Sequence, residues 1–297
     1  MEGQFRATRL GAAPLSPLRG GSPPRSGEVC SASQALAHAA ARFAFSATPR
    51  LDAELLMAHA LGLQRSALLL DLDRPAPAGF AALADRRAAR EPVAYITGTR
   101  GFWTIDLHVA PGVLIPRADS ETLIEAAVAH FGDRSPRTIL DLGTGSGALL
   151  LAALDQWPGA SGIGVDQSAA AMAIARANAE RLGMRDRARI VRGGWTGAGG
   201  AHDLILCNPP YIAEGEALPD EVALYEPASA LFAGPDGLDD YRAIAPVLRA
   251  QIAPGGAAIL EIGSTQADAV AALLTAQGFA VALRHDLGGR PRALVAA

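Results

Sequence analysis

A glycine-rich segment, Thr138–Leu154 (TILDLGTGSGALLLAAL), constrains the fold of this chain more than any other stretch. Residues 139–142 are mostly apolar and β-prone, and a glycine follows them, which is typical of a short buried strand. Glycines then occupy alternate positions until a run of strong helix formers begins at Ala148. Glycine accepts positive φ angles and lets a ligand approach the backbone closely. The segment therefore predicts the strand, turn and helix that open a nucleotide-binding α/β sheet.

The glycine turn alone does not identify the nucleotide. It matches the dinucleotide fingerprint G-x-G-x-x-G/A, and Asp166 follows about 20 residues later, where an acid that binds a ribose is expected. An NAD site, an S-adenosylmethionine site and a tight turn without a ligand are all compatible with this pattern. Under the first two interpretations the cofactor-binding residues are Gly143, Thr144, Gly145, Ser146, Gly147 and Asp166.

A second motif, Asn208-Pro209-Pro210-Tyr211, follows another apolar stretch and separates these alternatives. The prolines lack N–H groups and have a fixed φ, so the loop offers carbonyl acceptors in one rigid shape. With the Asn208 amide oxygen, such a loop can accept both hydrogens of a planar NH2 group and align its nitrogen with a methyl donor. A dehydrogenase has no need of this tetrapeptide. The two motifs together favour methyl transfer to a planar nitrogen over a strand that merely ends in a Pro-Pro turn.

The two motifs, DLGTGSG and NPPY, together resemble the Rossmann-like methyltransferases that modify planar nitrogens. NPPY alone is shared with adenine-N6 methyltransferases, whereas the flanking segments are similar to the peptide-chain release factor glutamine N5-methyltransferases. That resemblance extends from about residue 30 to the C-terminus. The segments that carry it are 91–117 (EPVAYITGTRGFWTIDLHVAPGVLIPR), 119–123 (DSETL), 225–227 (YEP) and 234–238 (GPDGL).

The resemblance implies a Rossmann-like seven-stranded α/β methyltransferase domain with an antiparallel last strand, preceded by a small helical domain and a β-hairpin linker. It implies S-adenosyl-L-methionine as cofactor, S-adenosyl-L-homocysteine as product, and the glutamine of the GGQ motif in class 1 release factors as substrate. In this family pattern Asn208 and the Pro209 carbonyl position the amide, Pro210 stiffens the loop, and Tyr211 packs on the substrate. Asn208 is also expected to contact the cofactor. The alternatives are a ribosomal-protein glutamine and adenine N6 in nucleic acid.

Composition narrows the class of partner. The formal charge is −4 and no broad basic excess exists, so stable nucleic-acid binding is not expected. The two cysteines, Cys30 and Cys207, have neither zinc nor redox spacing, and the scattered histidines suggest no metal site. No apolar run is long enough to span a membrane. We expect a cytoplasmic monomer with a protein substrate.

The chain is expected to divide into four parts. Residues 1–28, rich in Gly, Pro, Ser and Arg, are expected to be a disordered extension, and 29–92 a helical domain. Alternating apolar residues indicate a β-hairpin linker over 93–116, and 117–297 form the methyltransferase domain. Within the helical domain Ser66 is expected to cap a short helix. Three arginines there are interpreted as a solvated face or as a docking surface for the release factor: Arg86, Arg87 and Arg90.

Several residues are secondary candidates for the site. Trp195 is expected to stack on or flank the adenine, although Gly194 replaces an acid that many relatives carry before this tryptophan. The resemblance implies that the segment before the glycine loop lies against the methionine end of the cofactor. Arg117 and Glu121 in this segment are candidates for that contact, with a surface ion pair as the alternative. Asp119 or Ser120 is expected to cap the helix that follows, and Ser168 the helix after Asp166. The long loop 212–237 is expected to shape the substrate entrance.

Overall fold

The computed structural model describes residues 30–297, so the predicted extension 1–28 lies outside the described residues. Helices come first, a two-stranded hairpin follows, and a seven-stranded sheet with flanking helices completes the described chain. Within this part, every helix is too short or too polar to cross a membrane.

The N-terminal part is a cluster of short helices around its own apolar core. Ser31 begins the first helix with a reciprocal cap, because its hydroxyl accepts from Gln34 N–H and the Gln34 side chain accepts from Ser31 N–H. Phe43 and Met57 are fully buried in this core. Ser66 lies inside the third helix, which begins after Gln64, so the predicted cap at Ser66 is wrong. The helices are α1 Ala32–Arg42, α2 Pro49–Leu61, α3 Arg65–Leu69, α4 Phe80–Ala88 and α5 Val93–Thr97.

The predicted hairpin is present but shorter than expected. Its strands are β1 (Thr99–Phe102) and β2 (Ile105–His108), and they pair antiparallel. The residues before them form α5 instead of a strand. The side chain of Asn178, which is fully buried, accepts from the backbone N–H of His108 at 2.7 Å and donates to its carbonyl at 2.9 Å. This amide imitates a neighbouring strand and fixes the hairpin on the catalytic domain.

The sheet has the order β5-β4-β3-β6-β7-β9-β8, with β3 to β7 parallel and β9 antiparallel to both neighbours. The predicted seven-stranded arrangement with an antiparallel last strand is confirmed. The strands are β3 Thr138–Leu142, β4 Ser161–Asp166, β5 Ala188–Arg192, β6 His202–Cys207, β7 Ile252–Glu261, β8 Val281–His285 and β9 Pro291–Ala296. The helices that accompany them are α6 Glu121–Phe131, α7 Ala148–Gln156, α8 Ala169–Arg181, α9 Asp220–Tyr225, α10 Asp239–Leu248 and α11 Ala267–Ala276.

Apolar cores lie on both faces of the sheet, because successive side chains of a strand point to opposite sides. In β3, Ile139 joins the core with α6, α7 and α8, whereas Leu140 joins the core with α10 and α11. The strand order reverses at β3, which has β4 on one side and β6 on the other. In doubly wound sheets the carboxyl ends of strands at such a reversal form the ligand crevice.

Of the caps predicted for α6 and α8, only the one for α8 is present. Ser168 caps α8, since its hydroxyl accepts from Ala171 N–H at 3.2 Å. Neither Asp119 nor Ser120 caps α6 with its side chain. Both belong to a 3-10 turn before that helix, and Asp119 pairs with Arg292 at 3.1 Å. The stretch Ala118–Ser120 is therefore tied to the last strand of the sheet, a long-range contact that local sequence does not indicate.

Candidate active site

The glycine loop follows β3 and lies against the end of β4. Gly143, Gly145 and Gly147 have φ angles of 73°, 54° and 86°, a region that residues with a Cβ rarely adopt. Asp166 at the end of β4 accepts from Gly145 N–H at 2.9 Å with Oδ2 and from Ser168 N–H at 2.8 Å with Oδ1. The structure thus brings the predicted glycine loop and the predicted ribose-binding acid together.

Asp141, for which no sequence motif predicted a role, supports the loop from the core. Its Oδ2 accepts from the Thr144 hydroxyl at 2.6 Å and from Leu150 N–H at 3.3 Å. Complete burial raises the pKa of Asp141 to about 7. Thr144 and Ser146 are themselves buried. Both residues point away from the surface, so their contact with the cofactor stays a prediction.

The NPPY motif begins directly after β6, between β3 and β7 in the sheet. Asn208 Nδ2 donates to Ser120 Oγ at 3.3 Å, and Pro209 is buried. Tyr211 donates its hydroxyl to Glu261 Oε1 at 3.4 Å, and its backbone carbonyl accepts from Gln266 Nε2 at 2.9 Å. The motif is therefore held on both sides by polar contacts from distant parts of the chain.

One cleft of about 220 Å³ joins the two motifs. A Cβ added at Gly143 would lie 3.4 Å from the Trp195 ring, so the indole lies directly against the glycine loop. Trp195 Nε1 donates to Asp240 Oδ1 at 2.9 Å, and burial raises the pKa of Asp240. Asp240 places a carboxylate beside Trp195, although no sequence motif predicted one there. Among the residues that line the cleft are Gly143, Gly145, Asp166, Trp195, Asn208, Pro210 and Asp240.

These features fit S-adenosylmethionine. The loop can approach a ligand because its glycines have no side chains, and Asp166 has carboxylate oxygens that can accept from ribose hydroxyls. Trp195 offers a flat aromatic surface next to the same loop. Asn208 lines the cleft from the opposite motif. When bound there, S-adenosylmethionine supplies the methyl group.

Arg117 and Glu121 do not pair with each other, and each of them binds another group. Arg117 pairs with the buried carboxylate of Glu226, which also accepts from Ile115 N–H at 3.1 Å. Glu121 Oε1 accepts from Trp103 N–H at 2.9 Å. Arg117 therefore forms an ion pair, with the buried Glu226 as its partner, whereas Glu121 binds a backbone N–H. Their contacts join the interdomain segment to α6 and to the loop that follows NPPY.

The loop that follows NPPY also contacts the helical domain. It contains α9, where Glu221 pairs with Arg87 at 2.7 Å and Asp220 with Arg90 at 2.7 Å. Arg87 is only 3 % exposed, so a solvated face and an open docking surface are both wrong for this residue. Arg86 pairs with Glu91 on the surface. Tyr225 donates its hydroxyl to the Ala89 carbonyl at 2.8 Å.

The parallel sheet, the glycine loop and the NPPY cleft define a Rossmann-like S-adenosylmethionine-dependent methyltransferase. Two family models match the chain: the PrmC N-terminal domain over residues 34–98 and the methyltransferase small domain over residues 118–224. These matches agree with a separate helical part in front of the catalytic sheet.

Curated relatives that bear the name Release factor glutamine methyltransferase are similar over most of the chain, as three examples show. The protein of Rhodospirillum rubrum is 46% identical over 84% of this chain and 78% of its own length. The protein of Caulobacter vibrioides is 42% identical over 77% of this chain and 82% of its own length. The protein of Xylella fastidiosa strain Temecula1 is 44% identical over 83% of this chain and 92% of its own length. The chain belongs to the release factor glutamine methyltransferase family. The resemblance inferred from the motifs is thereby confirmed, and an NAD-dependent oxidoreductase is excluded.

Replacement of Asp166 by alanine is expected to weaken S-adenosylhomocysteine binding about 10- to 100-fold, since charged hydrogen bonds contribute about 1.5–3 kcal/mol each. Calorimetric titration of purified protein measures this change in Kd. Asp268→Ala, which removes an exposed acid at the start of α11, is the matched control and should bind as the wild type does. An unchanged Kd in the Asp166 variant would remove this residue from the cofactor site.

Proposed function

We propose that this enzyme transfers a methyl group from S-adenosylmethionine to the side-chain amide nitrogen, N5, of the glutamine in the GGQ motif of class 1 peptide-chain release factors. The observation that carries the proposal is the shared cleft: Asn208 and Pro210 line the same cavity as Gly145 and Asp166. Membership of the release factor glutamine methyltransferase family supports the choice of substrate.

The reaction requires activation of a weak nucleophile, because the lone pair of an amide nitrogen is delocalised into its carbonyl. Asn208 Oδ1 and the Pro209 carbonyl accept the two amide hydrogens and so orient the NH2 group. The same acceptors stabilise the positive charge that grows on the nitrogen during transfer. Pro210 keeps the loop rigid, and Tyr211 packs on the substrate. No general base has to act first, since the proton can leave after the charge has formed.

The partner is proposed to be the release factor itself, held in part by the helical domain of residues 29–92. The contacts of α9 support this assignment, because Glu221 and Tyr225 connect that domain to the loop after NPPY. The enzyme is proposed to act as a cytoplasmic monomer without stable nucleic-acid binding. The formal charge of −4 agrees with a protein substrate.

The deciding experiment measures methyl transfer from labelled S-adenosylmethionine to a purified class 1 release factor. The factor is used with its GGQ glutamine intact or replaced by alanine. Incorporation into the intact factor alone, mapped to that glutamine by mass spectrometry, is the expected result. Labelling of a ribosomal protein or of adenine in nucleic acid, with the release factor unlabelled, would overturn the substrate assignment and leave the methyltransferase class in place.

A further inference from the structure

Asp240 is a carboxylate in the cofactor cleft with one oxygen that has no donor. It is the second residue of α10, it is half-buried, and it lines the cleft together with Asp166 and Trp195. Its Oδ1 accepts from Trp195 Nε1 at 2.9 Å, and no group of the described residues donates to its Oδ2. Both oxygens of a carboxylate accept hydrogen bonds. Oδ2 is therefore available to a donor group of a ligand in the cleft.

The order of the strands indicates where the base of the cofactor lies. Along this edge of the sheet, residues 193–195 follow β5, Asp166 ends β4, the glycine loop follows β3, and NPPY follows β6. In a nucleoside, the base and the 5′ substituent are attached to opposite sides of the ribose ring. With the ribose at Asp166 and the methyl group near NPPY, the base lies towards the end of β5, beside Trp195.

The indole of Trp195 separates Asp240 from the methyl-transfer side of the cleft. A Cβ added at Gly143 would lie 3.4 Å from Cζ3 and Cη2 of the indole and 4.0 Å from the Asn208 carbonyl oxygen. This edge of the ring therefore faces the glycine loop and NPPY. Nε1 belongs to the other end of the indole, and it is the atom that binds Asp240. The carboxylate is thus on the side of the base.

Other groups on this side of the cleft leave the carboxylate of Asp240 without a competitor. Gly193 and Gly194 line the cleft without side chains, and the Gln167 amide lies beside Gly194, 3.5 Å from the position of an added Cβ. Of the described residues that line the cleft, Asp166 and Asp240 are the carboxylates. The exocyclic NH2 group of adenine is a donor, and hydrogen bonds to an ionised acceptor are strong.

We propose that Asp240 binds the adenine of the cofactor: its Oδ2 accepts from the exocyclic NH2 group, while the bond from Trp195 to Oδ1 holds the carboxylate in place. This contact makes the site specific for adenine, because a base without that NH2 group leaves the half-buried carboxylate with one donor fewer. No release factor takes part in it, so the inference and the proposed substrate fail or stand separately.

The wild-type enzyme gives the first test, without any variant. The ligand is an analogue of S-adenosylhomocysteine in which hydrogen replaces the 6-amino group of the base. We expect this deamino analogue to bind about 10- to 100-fold more weakly than S-adenosylhomocysteine, as the loss of one hydrogen bond to a charged group predicts. Calorimetric titration measures both Kd values. Equal affinities for the two ligands would overturn the proposal.

Asp240→Asn assigns the partner of the amino group. The asparagine oxygen can still accept from Trp195 Nε1, and its NH2 group then faces the cleft. A donor then meets the NH2 group of adenine, so the Kd of S-adenosylhomocysteine should rise about 10-fold or more, whereas the Kd of the deamino analogue should not. The ratio of the two Kd values should therefore fall to about 1 or invert. A ratio that stays at its wild-type value would overturn the proposal.

Asp239→Asn is the matched control, because it removes the same charge from the preceding residue. Asp239 is exposed, it pairs with Arg242 at 2.9 Å, and it does not line the cleft. This variant should bind both ligands as the wild type does. An equal fall of the ratio in Asp239→Asn and Asp240→Asn would show a general effect of charge and overturn the contact.

Trp195→Phe tests whether Asp240 binds the base or merely holds the indole. Phenylalanine keeps an aromatic surface and removes the donor to Oδ1. In this background, adding Asp240→Ala should still weaken the binding of S-adenosylhomocysteine more than that of the deamino analogue. If Asp240 serves only the indole, the second substitution has no further effect on either Kd, as for residues that act as one unit, and the proposal fails.

The ammonium group of the methionine part is the other donor that suits a carboxylate. 5′-Methylthioadenosine contains the adenine and the ribose but lacks this ammonium group. Asp240→Asn should raise the Kd of 5′-methylthioadenosine by the same factor as that of S-adenosylhomocysteine. An unchanged Kd of 5′-methylthioadenosine would assign Asp240 to the ammonium group and overturn the proposal.

Discussion

Asn208→Ala is expected to lower kcat about 10²- to 10³-fold, the loss typical when one preorganised partner of a developing charge is removed. The variant keeps the Pro209 carbonyl, so one of the two acceptors for the substrate NH2 group remains. Cofactor affinity should change little, because the glycine loop and Asp166 are untouched and make their contacts with each other. The structural cost should also be small, since Asn208 contributes only one long hydrogen bond, to Ser120.

Single-turnover methyl transfer to the release factor gives this rate, and titration with S-adenosylhomocysteine gives the affinity. Gln277→Ala, which removes an exposed amide at the end of α11, is the control and should behave as wild type. Equal losses in rate and affinity would show that Asn208 holds the cofactor instead of the substrate. An unchanged rate would remove it from the reaction altogether.

The catalytic sheet was predictable because its strands carry local signals. Strand β3 lies where the apolar run before the glycine turn predicted it, and β6 is the apolar stretch that precedes NPPY. Each parallel strand in the middle of the sheet is a short apolar run with a turn or a helix after it. Such runs are buried on both faces, so the pattern suffices without knowledge of neighbours.

Helix α5 shows where local signals fail. Residues 93–97 include Val, Ile and Thr, which favour strands, and were predicted as part of the hairpin. Pro92 instead precedes a helical turn that ends at Gly98 with φ 72°, and the Thr97 hydroxyl donates to the Val93 carbonyl. The packing of Tyr95 and Ile96 into two cores outweighs their β-propensity.

The candidate site was predictable where it consists of contiguous motifs and not where distant segments complete it. The glycine loop and NPPY each form a run of adjacent residues. Asp240 reaches Trp195 from a separate helix, and Glu261 reaches Tyr211 from a neighbouring strand. These carboxylates have no local pattern, except that Glu261 interrupts an apolar strand. A charged residue in such a strand is the one signal by which sequence could have found it.

Arg87 joins three elements, and its loss should have the largest effect on stability. The guanidinium pairs with Asp52 of α2 at 2.8 Å and with Glu221 of α9 at 2.7 Å, and it lies over the Phe45 ring. Asp52 is 7 % exposed, and among the described residues the Thr48 hydroxyl is the one side chain other than Arg87 that binds its carboxylate. Arg87→Met is therefore expected to lower the free energy of unfolding by about 3 kcal/mol, as for other buried pairs that lose one partner.

Arg90→Met provides a close comparison, because Arg90 also pairs with α9 and also lies over Phe45. Its side chain is 43% exposed and that of Asp220 is 58% exposed, so this pair should contribute about 0–1 kcal/mol. Urea denaturation of both variants measures the difference. Equal losses of unfolding free energy in the two variants would mean that burial of Asp52 does not decide the cost of losing its partner.

Since Arg87 also connects the helical domain to the loop after NPPY, Arg87→Met should raise the KM for the release factor and leave the Kd of S-adenosylhomocysteine unchanged.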